Sequence, residues 1–221
     1  TIQGVPHIRN EIKRNIKLLG EKNHYDFVIT EIGGTIGDIE SAPYLEAIRQ
    51  MKWELGKNAV CIHLTYVPYL KAAGELKTKP TQHSVKELQS VGIQPDILVL
   101  RTEKHLDSNI LKKVASFCNV DIDCVVQSED LPSIYEVPVN MQNQGLDSAI
   151  LKKMGIEPGE KPTLGPWKNF LERRTNAKEE VHIGLVGKYD LQDAYKSIRE
   201  SLSQAGTYND HKTVLTFINS E

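Results

Sequence analysis

The stretch AVCIHLTYVPYLKAAGELKTKPTQHSVKELQSVGIQPDILVLRT, residues 59–102, decides the fold. It opens with an apolar run (59–67) and closes with another (96–102), each of strand length and rich in Val, Ile and Leu. Between them, SVKELQSVG (84–92) reads as a helix, with Ser84 and Glu87 at capping-box spacing and Gly92 as a terminator. Strand, helix, strand at this spacing is a βαβ unit, which sets its two strands parallel. Runs that are apolar throughout, rather than alternating, belong to strands covered on both faces.

The same rhythm extends outward. Upstream, Ile8, Ile12, Ile16 and Leu19 recur at helical spacing, YDFVITEI (25–32) reads as a buried strand, and Leu45, Ile48, Met51 and Leu55 mark a helix closing at Gly56. Downstream come a helix over 108–118 capped by Asp107 or Ser108, a short strand CVVQ (124–127), and a helix over 146–155 ending at Gly155. The sum is an α/β fold, a parallel sheet with helices on both faces. Ligands of such sheets gather at the carboxyl ends of the strands. GIEPGEKPTLGPW (155–167), with three prolines and three glycines, reads as a linker, and FLERRTNAKEE (170–180) as a charged bridge. A fresh strand and helix then begin over 181–206, and TVLTFIN (213–219) reads as a further strand. This last piece is too small to bury a stable core alone and reads as the start of a second domain.

Bulk composition narrows the function. The 221 residues carry 27 Lys and Arg against 29 Asp and Glu, a formal charge of −2. A nucleic-acid or anionic-membrane binder would show a basic excess, so neither partner is expected. No apolar run approaches transmembrane length, and TIQGVPHIRNEIKRN is too polar for a signal peptide. The absence of an initiator Met suggests an internal piece of something longer. Cys61, Cys118 and Cys124 sit in apolar company without zinc-ribbon pairing, which predicts packing cysteines and a reducing, cytoplasmic setting. Two motif fragments fail inspection. GLVGKY (184–189) lacks the spacer and the Ser or Thr of a phosphate loop, and GGTIGDIE lacks the G-x-G-x-x-G order.

Three constellations could do chemistry. In ITEIGGTIGDIES (29–41), Glu31 falls at a strand end where it can meet Mg²⁺, an ion satisfied by one or two carboxylates plus phosphate oxygens and water. Asp38 and Glu40 beyond the glycines could accept from ribose hydroxyls. Equally, Asp38 could cap the next helix while Glu40 is solvated. In GELKTKPTQHS (74–84), Lys77, Lys79, Thr78, Thr81 and Gln82 run into a helix start, with Pro80 holding Lys79 extended. That suits a polyphosphate, although an ordinary Lys-rich loop has the same composition. Lys112 and Lys113 lie on a helix, where a solvated face is the simpler reading.

Together the blocks EIGGTIGDIES, HLTYVPYLKAAGELKTKPTQHSVKELQSVGIQPDIL, FCNV, SIYEVP and VGKYDLQDAYKSI, in this order and spacing, resemble the CTP synthase family over essentially the whole chain. The resemblance implies a dethiobiotin-synthetase-like, P-loop-type amidoligase domain over 1–154, lacking its N-terminal part. It implies a linker over 155–180 and the first β-α-β of a class I glutaminase domain over 181–221. The implied reaction aminates UTP to CTP with ATP and with ammonia from glutamine. Glu31 matches the family's Mg²⁺ ligand, and Asp38, Ile39 and Glu40 match a segment contacting CTP as feedback inhibitor. Lys77, Thr78, Lys79, Pro80, Thr81 and Gln82 match the loop binding the UTP or CTP triphosphate, with Lys77 and Lys79 as candidates for chemistry. Lys113 matches a further nucleotide-contacting lysine. Glu129, Asp130 and Leu131 match a segment near the ATP adenine, where the family often carries a lysine in place of Glu129. A homotetramer is implied. The phosphate loop is expected before Thr1 and the glutaminase nucleophile beyond Glu221, so the chain alone is expected to turn over neither UTP nor glutamine. Two other readings stand beside this one: a non-catalytic nucleotide-binding or assembly module, and a ligase related only at fold level.

Overall fold

The computed structural model describes residues 3–189 and 194–220. Residues 190–193, inside the block VGKYDLQDAYKSI, lie outside them. The chain divides into two compact units, residues 1–160 and 161–221.

The first unit is built on a parallel sheet. Strands β1 (Ile62–Val67), β4 (Ile97–Thr102) and β5 (Val125–Glu129) lie in the order β1-β4-β5, with Thr65 opposite Leu100 and Leu100 opposite Gln127. A two-stranded hairpin, β2 (Tyr69–Leu70) and β3 (Glu75–Leu76), follows β1. Helices α1 (Arg9–Asn23), α2 (Ala42–Leu55), α3 (Lys79–Ser90), α4 (Ser108–Cys118), α5 (Val137–Asn143) and α6 (Leu146–Lys153) complete it. Helices α3 and α4 pack on the sheet face that carries Thr65, Val67, Leu98, Leu100 and Val125, and bury Val85, Val114 and Cys118 against it. Helix α4 is capped by Asp107, whose Oδ1 accepts from the N–H of Asn109 and of Ile110, both at 2.9 Å.

Several expectations are corrected. Residues 25–32 form no strand. Ile29 is 93% exposed, and the backbone finds no ladder, so its strand-forming composition has nothing to pair with. Coverage of the sheet is also incomplete. Val99 and Val126 are buried on the second face, but Leu64, on the same face of β1, is 63% exposed. Helix α3 starts at Lys79, five residues before the capping box that Ser84 and Glu87 suggested. Ser84 instead lies mid-helix with its Oγ 2.9 Å from His63 Nε2. Lys79 is therefore helical, not extended, because Pro80 sits in the first turn, where its fixed φ and missing N–H cost nothing. Cys118 and Cys124 are buried, and burial raises both thiol pKa values, that of Cys118 to about 11. Cys61 is only partly buried.

In the second unit, α7 (Gly165–Asn176) occupies ground expected to be linker. The turn-rich composition hid it, since Gly165 and Pro166 are tolerated at a helix start. Strands β6 (Glu179–Gly187) and β7 (His211–Asn219) pair in parallel across α8 (Lys196–Tyr208), a β-α-β unit. Arg173 of α7 forks onto Asp210, with Nε to Oδ1 at 2.7 Å and Nη2 to Oδ2 at 2.9 Å. In the GLVGKY stretch, the N–H groups of Lys188 and Tyr189 both donate to the Tyr195 hydroxyl, at 3.0 and 3.3 Å. No described helix is long and apolar enough to cross a membrane.

Candidate nucleotide site

Because β1, β4 and β5 are parallel, their carboxyl ends share one edge. The chain leaves β1 at Val67, makes the β2–β3 hairpin and enters α3. Gly74, at φ +66°, closes the hairpin turn, its N–H donating to Leu70 O at 2.8 Å. The Lys77 N–H then donates to Pro68 O at 2.9 Å, which returns the chain beside the end of β1. The segment 77–82 is thus brought to the carboxyl edge by backbone geometry.

Its first turn is anchored from below. Thr81 is fully buried, with its Oγ1 3.0 Å from Tyr66 O and 3.1 Å from Thr65 Oγ1. Thr78, at the cap position, makes no side-chain cap to the helix N–H groups, and its hydroxyl accepts from Gln82 Nε2 at 3.1 Å. The helix start therefore keeps open backbone donors, and the dipole favours an anion there. Lys77 Nζ lies 2.5 Å from Glu75 Oε1, two residues back along the chain, so an incoming anion competes with Glu75 for that ammonium. Lys79 and Pro80 are exposed.

At the tip of β5, Asp130 N–H donates to Thr102 O at 2.9 Å, and Asp130 pairs with Arg101 Nε at 3.6 Å. Glu129 Oε1 lies 2.7 Å from His105 Nδ1. The segments 77–82 and 129–131 thus occupy the same edge of one sheet. Lys113 is exposed on α4, and its side chain makes no hydrogen bond or ion pair among the described residues.

The acidic turn is organised by its own aspartate. Asp38 Oδ2 accepts from Thr35 N–H at 2.8 Å, and Asp38 N–H donates to Thr35 O at 3.0 Å. Gly34, at φ +86°, makes room: a Cβ there would lie 3.2 Å from Asp38 Oδ2. Of the two readings left open for Asp38, a local backbone role is present, directed at the preceding turn and not at the following helix. Ile39 and Glu40 are exposed. Glu31 is exposed and makes no hydrogen bond or ion pair among the described residues. Its hard carboxylate oxygens suit Mg²⁺, which needs few protein ligands when phosphate and water supply the rest. No three His, Cys, Asp or Glu side chains converge as a metal cage among the described residues. No hydrogen bond or ion pair joins Glu31, Asp38 or Glu40 to 77–82 among them either.

The residue reading missed the neighbours that shape this edge, namely Tyr66, Tyr69, Glu75, Glu103, Lys104 and His105. The Tyr66 hydroxyl donates to Glu103 Oε1 at 2.9 Å, a carboxylate that pushes the phenol pKa up. Lys104 Nζ stands 3.5 Å from the centroid of the Tyr69 ring. For Glu103, Lys104 and His105 the one sequence signal was position just after a strand.

A profile of the CTP synthase N-terminus matches residues 1–156. The chain is 73% identical to a CTP synthase of Bacteroides thetaiotaomicron, over 100% of this chain and 42% of the relative. It is 70% identical to one of Bacteroides fragilis over 100% and 42%. For one of Porphyromonas gingivalis the identity is 64%, over 100% and 41%. The chain thus spans less than half the length of these curated relatives.

Proposed function

The chain belongs to the CTP synthase family, and from that premise we propose that it forms part of an enzyme aminating UTP to CTP, with ATP as phosphoryl donor and glutamine as the source of ammonia. The observation that carries this reading is the uncapped start of α3, set with Lys77 and Lys79 at the carboxyl edge of a parallel sheet. Backbone donors, a helix dipole and two ammonium groups suit a triphosphate.

On this reading residues 77–82 bind the triphosphate of UTP or of CTP, with Lys113 as a further contact, and Lys77 releases Glu75 when phosphate arrives. Asp38, Ile39 and Glu40 meet CTP as inhibitor. Asp130 and Leu131, with Glu129, border the adenine of ATP. Glu31 holds Mg²⁺, which supplies charge neutralisation for the phosphates. Residues 1–154 are amidoligase domain, 155–180 join the domains, and 181–221 open a class I glutaminase domain. The complete enzyme is a cytoplasmic homotetramer.

The test is Lys79→Gln in the complete enzyme, followed by titration calorimetry with UTP and Mg²⁺. Loss of one charge-assisted phosphate contact weakens UTP binding about tenfold. Unchanged UTP affinity with unchanged turnover would sink the assignment of this loop. Unchanged affinity with lost turnover would move Lys79 from binding to chemistry.

A further inference from the structure

Three consecutive side chains between β4 and α4 reach three different parts of the carboxyl edge. Glu103 accepts from Tyr66 at the end of β1, Lys104 lies over Tyr69 on the hairpin, and His105 meets Glu129 at the tip of β5. The path of this segment is fixed without His105. Thr102 Oγ1 donates to Lys104 O at 2.8 Å, Leu106 N–H donates to the buried Gln127 Oε1 at 2.8 Å, and Asp107 caps α4. The imidazole is thus held out on an anchored segment, and its bond acts on Glu129.

We propose that His105 is a positioning residue for the nucleotide base: its imidazole, 2.7 Å from Glu129, orients and neutralises that carboxylate at the tip 129–131. The role rests on the reading of 129–131 as the adenine end of the site. Its physical basis is charge. A bare carboxylate beside a polyanionic nucleotide repels it, and an imidazolium on that carboxylate cancels the repulsion. The other ionisable groups facing this place are engaged: Asp130 with Arg101, Glu103 with Tyr66, Lys104 over the Tyr69 ring and Asp107 in its cap. Histidine is the side-chain type whose charge ordinarily changes between pH 5 and 8, so pH is the variable that separates charge from shape here. Its side chain is 69% exposed, which keeps the effect modest.

The experiment compares KM for ATP, KM for UTP and kcat in the complete enzyme, its His105→Ala variant and its His105→Lys variant, across about pH 6 to 8.5. At the acid end His105→Ala raises KM for ATP about threefold and leaves KM for UTP alone. The ratio of variant to parent falls towards one at the alkaline end, where a histidine ordinarily carries no charge. His105→Lys, charged throughout, keeps the low KM at every pH. A ratio of one at the acid end, an equal rise for UTP, or a His105→Lys defect matching that of His105→Ala would each overturn the proposal. Photolabelling of the parent with azido-ATP separates it from the reading beneath. Failure to label the peptide around 127–131 removes the adenine assignment and the proposal with it. Labelling with an unaltered KM removes the positioning role alone.

Discussion

Thr81 shows how one side chain serves both fold and site. Its hydroxyl meets the Tyr66 carbonyl where β1 ends and is fully buried there, in the first turn of α3. Thr81→Val keeps the shape but leaves that carbonyl unsatisfied, and is expected to cost about 1–3 kcal/mol, read as a lower urea midpoint with unchanged slope. Thr81→Ser, which keeps the hydroxyl, should lose less than half of that, and equal losses in the two variants would show that the bond is not the cause. Such pairings decide how far single residues were legible in the sequence. The Asp107 cap could be read because donor and acceptor are within three residues. The Lys77–Glu75 pair, two positions apart, could not, since such a pair meets only in extended backbone and the two-residue strand β3 carries no signal of its own. Nor could His105 and Glu129, 24 positions apart in sequence and joined only when β4 and β5 align.

Elements were legible where one local rule acted without a competitor. Helices α1, α2 and α4 follow apolar periodicity, and β1, β4 and β5 follow apolar runs. The start of α3 was misplaced because Ser84 and Glu87 imitate a cap, while the true start is fixed by the tertiary bond of Thr81. Helix α1 is weakly secured: it has no buried residue, and it packs on α2 with Lys13 and Lys17 both paired to Glu54. Hydrogen bonds from Lys13 first, and then Lys17, hold the Glu54 carboxyl pKa below its usual value of 4.5. A carboxyl depressed on folding contributes stability above its unfolded pKa and loses it as pH falls through the folded one. Glu54→Gln should therefore speed amide exchange in Arg9–Asn23 at neutral pH and leave β4 protected. The ratio of variant to parent should close on one as pH drops below the carboxylate range. A ratio that stays constant through that range would show that the pair does not hold α1.

At the scale of the whole molecule, the parallel sheet expresses what the sequence rhythm implied, but the residues left uncovered could not be read from it. Apolar runs signal strands that are buried on both faces only when something covers them. Among the described residues β1 has a neighbour on one side only, and Ile62, Leu64 and Tyr66 on one face are 44, 63 and 43% exposed. Ile29 and Trp53, at 93 and 87%, add apolar surface elsewhere in the same unit. A strand edge with an apolar face recruits other chains through its free N–H and C=O groups. The isolated chain should accordingly self-associate with rising concentration, as light scattering on a sizing column would register. Leu64→Lys places a charge in the middle of the exposed face and leaves the buried partners Thr65 and Val67 in register with β4. It should shift the population towards monomer without lowering the melting temperature. A monodisperse parent chain at high concentration would refute the sticky-edge argument. Association unchanged by Leu64→Lys would move its origin away from β1, to the surface around Ile29 and Trp53.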